Sequence, residues 1–179
     1  MDWPLGVAYI VYKDTTVEEA AELAKQDGFE HIDALRDSPS RLAVAPGDCY
    51  SPHPTTGYTT GALPVGEGSW DKTVEDFRRA PGARLEPWPG GVVGDDESLR
   101  AILAELPGLE LTVDVGHVTA GGGDPLEYLE DAAHVQLRQA KPGATQALDG
   151  DVDFAAILKR LEAVDYVGLL TVEYFDLPE

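Results

Sequence analysis

Apolar positions along the chain follow two alternating rhythms. Short runs rich in β-branched and aromatic residues read as strands, and stretches with apolar residues three and four apart read as helices. Residues 6–12 predict a first strand. Thr16-Val17-Glu18-Glu19 has the spacing of a capping box and opens a helix with Ala20, Leu23 and Ala24 on one face, stopped by Gly28. Strands are predicted over 29–35 and, after the turn Asp37-Ser38-Pro39, over 42–45. Residues 46–71 are rich in Gly, Pro, Ser and Thr without apolar period, which predicts a long loop. A short helix over 73–79 and a strand over 83–86 follow. Asp95 and Asp96 lead into a helix carrying Leu99, Ile102, Leu103 and Leu106, ended by Pro107-Gly108. Beyond it come a strand over 109–115, a helix opened by Asp124-Pro125 and a strand over 133–137. A helix capped by Asp151 or Asp153 then carries Phe154, Ile157, Leu158 and Leu161, and a last strand covers 167–174.

Strands alternating with amphipathic helices predict an α/β fold with parallel strands and helical crossovers. Residues 1–179 show no repeat, low-complexity segment or linker, so a single domain is expected. Side chains alternate faces along a strand, and that parity separates polar from apolar groups in the later strands. Leu111, Val113 and Val115 oppose Thr112 and Asp114; Val135 and Leu137 oppose His134, Gln136 and Arg138. Likewise Leu170 and Val172 oppose Thr171 and Glu173, and Ala83 and Leu85 oppose Arg84 and Glu86. An open sheet covered by helices on both sides should not repeat a polar face, whereas a (β/α) barrel can turn it inward. With about seven candidate strands, the expectation is a TIM-type (β/α) barrel in shortened or incomplete form. Such a barrel would expose sheet edge, which encourages pairing with a second copy or a partner chain.

Net charge changes the picture of partners. At −20 the chain would be repelled by nucleic acid and by anionic membranes, so neither is expected. No apolar run reaches the roughly 20 residues that cross a bilayer. The N-terminal Met1-Asp2-Trp3-Pro4 has no basic or apolar signal core, and the single Cys49 excludes an internal disulfide framework, so a cytoplasmic location is expected.

Candidate chemistry rests on Glu86, Asp114 and Glu173, carboxylates on matching faces near strand ends, with Gln136 on a fourth strand. Taken singly, each acid could cap a helix or meet solvent. Together, converging like charges demand a cation, a basic partner or a shared proton. Arg138 and Lys141 follow the sixth strand, where they could grip a phosphate or carboxylate; Arg138 could equally neutralise the inward acids and remove the need for a metal. Trp88 could wall a sugar ring or pack in the core. His53 reads as a solvated loop residue, Cys49 as inert, and Gly121-Gly122-Gly123 as a connector rather than an anion loop.

The order and spacing of Leu85-Glu86-Pro87, Val113-Asp114-Val115-Gly116-His117, His134-Val135-Gln136-Leu137-Arg138, residues 151–158 and Leu170-Thr171-Val172-Glu173-Tyr174 resemble the xylose isomerase-like TIM barrels, the superfamily of sugar phosphate isomerases and epimerases. The resemblance covers roughly residues 82–176, and residues 6–35 resemble the family's first strand, helix and second strand. It implies a divalent metal, Mn²⁺ or Mg²⁺, on Glu86, Asp114, Gln136 and Glu173, with Glu86 and Glu173 also the acid/base pair and His117 contacting substrate oxygens. Two positions depart from the family pattern: its histidine ligand falls at Gln136, a weaker ligand, and an acid three residues on falls at Gln139. The implied activity is metal-assisted isomerisation or epimerisation of a small polyhydroxy carbonyl compound, by proton transfer next to the carbonyl. A shortened, non-catalytic relative that binds a small molecule or serves as a subunit is the alternative, and a metal-independent lyase or dehydratase is a third.

Overall fold

The computed structural model describes residues 3–12, 14–33, 69–79 and 84–174. Within them five parallel strands form one sheet: β1 (Leu5–Ala8), β2 (His31–Asp33), β3 (Leu111–Asp114), β4 (Ala132–Leu137) and β5 (Leu170–Val172). The order across the sheet is β2-β1-β5-β4-β3, so the last strand lies between the first and the fourth. Leu85 adds a one-residue parallel bridge to Leu111, donating its N–H to Glu110 O at 3.0 Å and accepting from Thr112 N at 2.9 Å. Among the described residues the sheet does not close on itself.

Helices α1 (Val17–Gln26), α2 (Trp70–Arg79), α3 (Asp96–Glu105), α4 (Val115–Ala120) and α5 (Phe154–Ala163) supply the outer layer. The capping box that opens α1 is formed: Thr16 Oγ1 accepts from Glu19 N at 3.2 Å, and Thr16 N donates to Glu19 Oε2 at 2.8 Å. Its other end is a Schellman motif, with Phe29 N–H on Ala24 O, Gly28 N–H on Lys25 O, and Gly28 at φ +92°. Ala20 and Ala24 pack with Val7 and Ile32, while Leu23, expected on that face, is 38% exposed. A larger core joins Leu99 and Ile102 of α3 and Ile157 and Leu161 of α5 to Leu111, Val113, Val135 and Leu170. These strand residues have the parity expected of the apolar face. Leu158, expected inward on α5, stands at the rim.

Elements are shorter than the apolar pattern predicts, because strand ends are set by what lies alongside. The first strand stops at Ala8, which pairs with Asp33 of β2, and Tyr9–Val11 turns as a 3-10 helix. The fourth predicted strand reduces to the Leu85 bridge, and the last to three residues. Asp124-Pro125 opens a 3-10 turn, Pro125–Glu127, in place of a helix. Helix α2 begins at Trp70, three residues ahead of expectation, inside the tail of the predicted loop. The predicted strand over 42–45, most of that loop, His53 and Cys49 lie outside the described residues. No helix among the described residues is long and apolar enough to cross a membrane.

Candidate active site

Register places the polar faces in one row. Asp114 pairs with Gln136, Gln136 with Thr171, Thr171 with Gly6, and Gly6 with His31. Arg138 and Glu173 follow one alternation further along β4 and β5, just past the paired residues. Thr112, Asp114, His134, Gln136, Arg138, Thr171 and Glu173 are all buried, so the polar face points into the protein.

At the C-terminal end of this row Glu86, Asp114, His117, Arg138 and Glu173 converge. Asp114 ends β3 and caps α4: its Oδ1 accepts from Gly116 N at 2.8 Å and His117 N at 3.1 Å. This cap holds a six-residue helix that propensity alone would not, and it fixes His117 one turn on. His117 Nδ1 lies 3.3 Å from Glu86 Oε1 and 3.5 Å from Asp114 Oδ2. From β4 the Arg138 guanidinium meets Asp114 with two nitrogens, Nε donating to Oδ1 at 3.2 Å and Nη2 to Oδ2. Nη2 also lies 3.4 Å from Glu173 Oε1 and 3.3 Å from His117 Nε2. The Arg138 side chain is fully buried.

The charges perturb one another strongly. Burial, then the neighbouring Asp114 and Glu86 carboxylates, push the Glu173 carboxyl up to about 8, against partial relief from Arg138 and His117. Burial by itself would raise Asp114, but the charges of His117 and Arg138 and the hydrogen bonds it accepts hold it below the ordinary carboxylate value. Burial opposes a charged His117, yet Asp114 and Glu86 raise it above its usual value. Three carboxylates are thus balanced by one guanidinium and by the readiness of Glu173 and His117 to hold protons.

One ligand-type atom from each of Glu86, Asp114 and His117 lies within 4.8 Å of the others, a grouping of the kind that could hold a metal ion. Glu86 Oε2 has no hydrogen-bond partner among the described residues. Asp114 decides the fit. Each carboxylate oxygen offers about two lone-pair sites: three backbone or side-chain donors crowd Oδ1, and Arg138 takes one of the two on Oδ2. A divalent ion on this carboxylate would face the guanidinium, and at ~4 Å and an effective dielectric constant of ~20 that repulsion, roughly 8 kcal/mol, offsets the attraction of one carboxylate. The residues present therefore fit the buried arginine better than a divalent metal.

Of the residues expected from sequence, Glu86, Asp114, Glu173, His117 and Arg138 come together, with Gln136 one alternation deeper beside Asp114 and Thr171. Lys141 does not join them: it pairs with Asp149 at 3.0 Å on the exposed side. Trp88 is half-buried, with its ring beside the turn at Gly90. Gln139 fastens backbone, donating to Val152 O at 2.8 Å and accepting from Val152 N at 3.1 Å. Gly121 is the C-cap of α4, so the glycine run serves backbone geometry. His31 was not singled out from sequence; it lies over Gly6, where a Cβ would collide with its ring, and its Nε2 comes within 3.3 Å of Thr171 Oγ1. A histidine opposite a glycine on adjacent strands was the available signal, but only a known register exposes it.

No protein-family model and no curated protein matches the chain in sequence. Solved structures do resemble it. The 3-keto-D-glucoside 4-epimerase YcjR from E. coli is similar at 15% identity and a TM-score of 0.61, over 99% of this chain and 94% of that one. A xylose isomerase domain containing protein from Salmonella typhimurium LT2 is similar at 15% identity and a TM-score of 0.63, covering 98% and 91%. The D-allulose 3-epimerase from Methylomonas sp. is similar at 16% identity and a TM-score of 0.58, covering 98% and 87%. With parallel strands, an inward polar face and first and last strands paired, the chain has the fold of the xylose isomerase-like TIM barrels, in a shortened form.

Proposed function

We propose that the chain is an epimerase- or isomerase-like enzyme that moves a proton next to the carbonyl of a small polyhydroxy compound. The observation that carries this reading is the convergence of Glu86 and Glu173, two buried carboxyl groups 87 positions apart in the sequence, on His117 and Arg138. The fold shared with sugar epimerases supports it.

In this reading Glu86 takes the proton from the carbon next to the carbonyl. The C–H electron pair becomes the enediolate double bond, and the carbonyl electrons move onto oxygen. N–H groups of His117 and Arg138 meet the developing oxyanion. Glu173, which holds its proton at neutral pH, returns a proton to the opposite face of the same carbon for epimerisation, or to its neighbour for isomerisation. A low-dielectric surround favours this division of roles, because it keeps one carboxyl neutral beside ionised neighbours. Gln136, Thr171 and His31 line the deeper row and would meet substrate hydroxyls. A metal-free lyase or dehydratase is favoured by one observation, the neutralisation of the acids by Arg138. Such an enzyme would expel a hydroxyl after the same first proton removal.

The test is proton NMR of 2-ketopentoses and 2-ketohexoses in D₂O with the full chain. Deuterium at the carbon next to the carbonyl, lost in Glu86→Gln and in Glu173→Gln, is the expected outcome. Elimination products in place of exchanged sugar would establish the lyase. Saturable binding with neither exchange nor product would establish a binding protein.

A further inference from the structure

Asp114, Gly116 and Arg138 fit one another as parts of a single arrangement. We infer that Arg138 is the resident cation of the site, filling by side chain the place that a divalent metal ion would otherwise take among the carboxylates.

Four features point the same way. Arg138 engages both oxygens of Asp114 and reaches Glu173, so it links two of the four residues expected to be metal ligands. Its side chain has no exposed surface, unlike a surface arm that could swing aside to admit an ion. Asp114 is further committed through Oδ1 to the first N–H groups of α4, so rotating it toward an ion would uncap that helix. Lastly, Gly116 leaves the space that the arginine stem fills: a Cβ there would collide with Arg138 Cγ and stand 2.8 Å from Cδ and 2.9 Å from Thr145 O. A planar, permanently charged fork suits a carboxylate in a dry site, because it is less strongly hydrated than an ammonium and bonds in two places.

It follows that the site keeps its geometry without added metal, and that the guanidinium and His117 supply the positive field at the substrate oxygen. This holds for the charge balance whether or not the site turns over a sugar. The experiment is a Mn²⁺ titration of the chelator-treated full chain, followed by thermal melting and by calorimetry. Wild type is expected to show no saturable rise in Tm and no stoichiometric heat. Arg138→Gln is expected to melt lower and to regain stability with Mn²⁺, by about 5–11 °C at a hundredfold excess over Kd. One equivalent of Mn²⁺ taken up by wild type, and lost in Asp114→Asn, would overturn the inference. So would a folded Arg138→Gln that Mn²⁺ leaves unchanged. Should Arg138→Gln fail to fold, the wild-type titration decides alone.

Discussion

Replacing Gly116 by alanine sets two effects of opposite sign against each other. Gly116 lies inside α4, where alanine is favoured over glycine by about 1 kcal/mol on helix propensity. The new methyl, however, would enter space held by the Arg138 stem and by Thr145 O, 2.9 Å away. Overpacking of this kind costs about 1–3 kcal/mol, and driving the guanidinium off Asp114 costs about 3–5 kcal/mol, as for a broken buried ion pair. The net expectation is a loss of about 3–7 kcal/mol, or a fall in Tm of about 6–28 °C for a chain of this size. Thermal melting by circular dichroism measures it, and a double-mutant cycle with Arg138→Ala identifies the cause. Removing the stem first removes the collision with Cγ and Cδ, so the two substitutions should be coupled by more than about 1 kcal/mol. A Gly116→Ala protein as stable as wild type, or strict additivity in the cycle, would refute the reasoning.

Further outcomes follow from the same contacts. Asp114→Asn retains an oxygen to cap α4 but strands Arg138, so urea unfolding should register a loss of about 3–5 kcal/mol. Thr16→Ala removes the acceptor for Glu19 N and should cost about 1 kcal/mol in the same assay, with no change in the chemistry of the site. Glu173 is raised from 4.5 to about 8 in the folded chain, so the folded state holds a proton that the unfolded state has released between those values. Its contribution to stability is full below about 4.5 and is lost as pH rises through about 8, at up to about 1.4 kcal/mol per pH unit. His117, raised above 6.5, acts in the same direction. Urea midpoints should therefore fall from pH 5.5 to pH 8 in wild type and fall less in Glu173→Gln; equal slopes would contradict the assignment.

Strand parity was legible from sequence because it is local: each alternation of apolar and polar residues needs no knowledge of the partner. The inward row of Asp114, Gln136 and Thr171 came from that alone. The ends of elements were less legible, because pairing sets them. Residues 9–11 have the β-branched and aromatic character of a strand, yet they turn as a 3-10 helix. Helix α4 carries a glycine at its second position and spans only six residues, so periodicity could not reveal it; the Asp114 cap sustains it. Arg138 and Lys141 are both basic residues after the same strand. What separates them is non-local: the vacancy beside Gly116 for one, and Asp149 for the other. The metal and arginine readings part at the same point, since sequence spacing lists candidate ligands but does not say which lone pairs are already taken.

The insertion of β5 between β1 and β4 has a consequence for biosynthesis. Gly6 pairs with Thr171, a partner 165 positions later, so β1 cannot obtain its neighbour on that side until nearly all of the described chain has been made. At about 5–20 residues per second, translation leaves that edge waiting for roughly 8–33 s. For that interval a nascent parallel strand offers unsatisfied N–H and C=O groups to any other extended chain. Slow stretches of message late in the reading frame would lengthen the exposure, and a ribosome-associated chaperone that shields the first strand would shorten it. Yield of native protein should therefore respond to elongation rate, although no residue of the site changes.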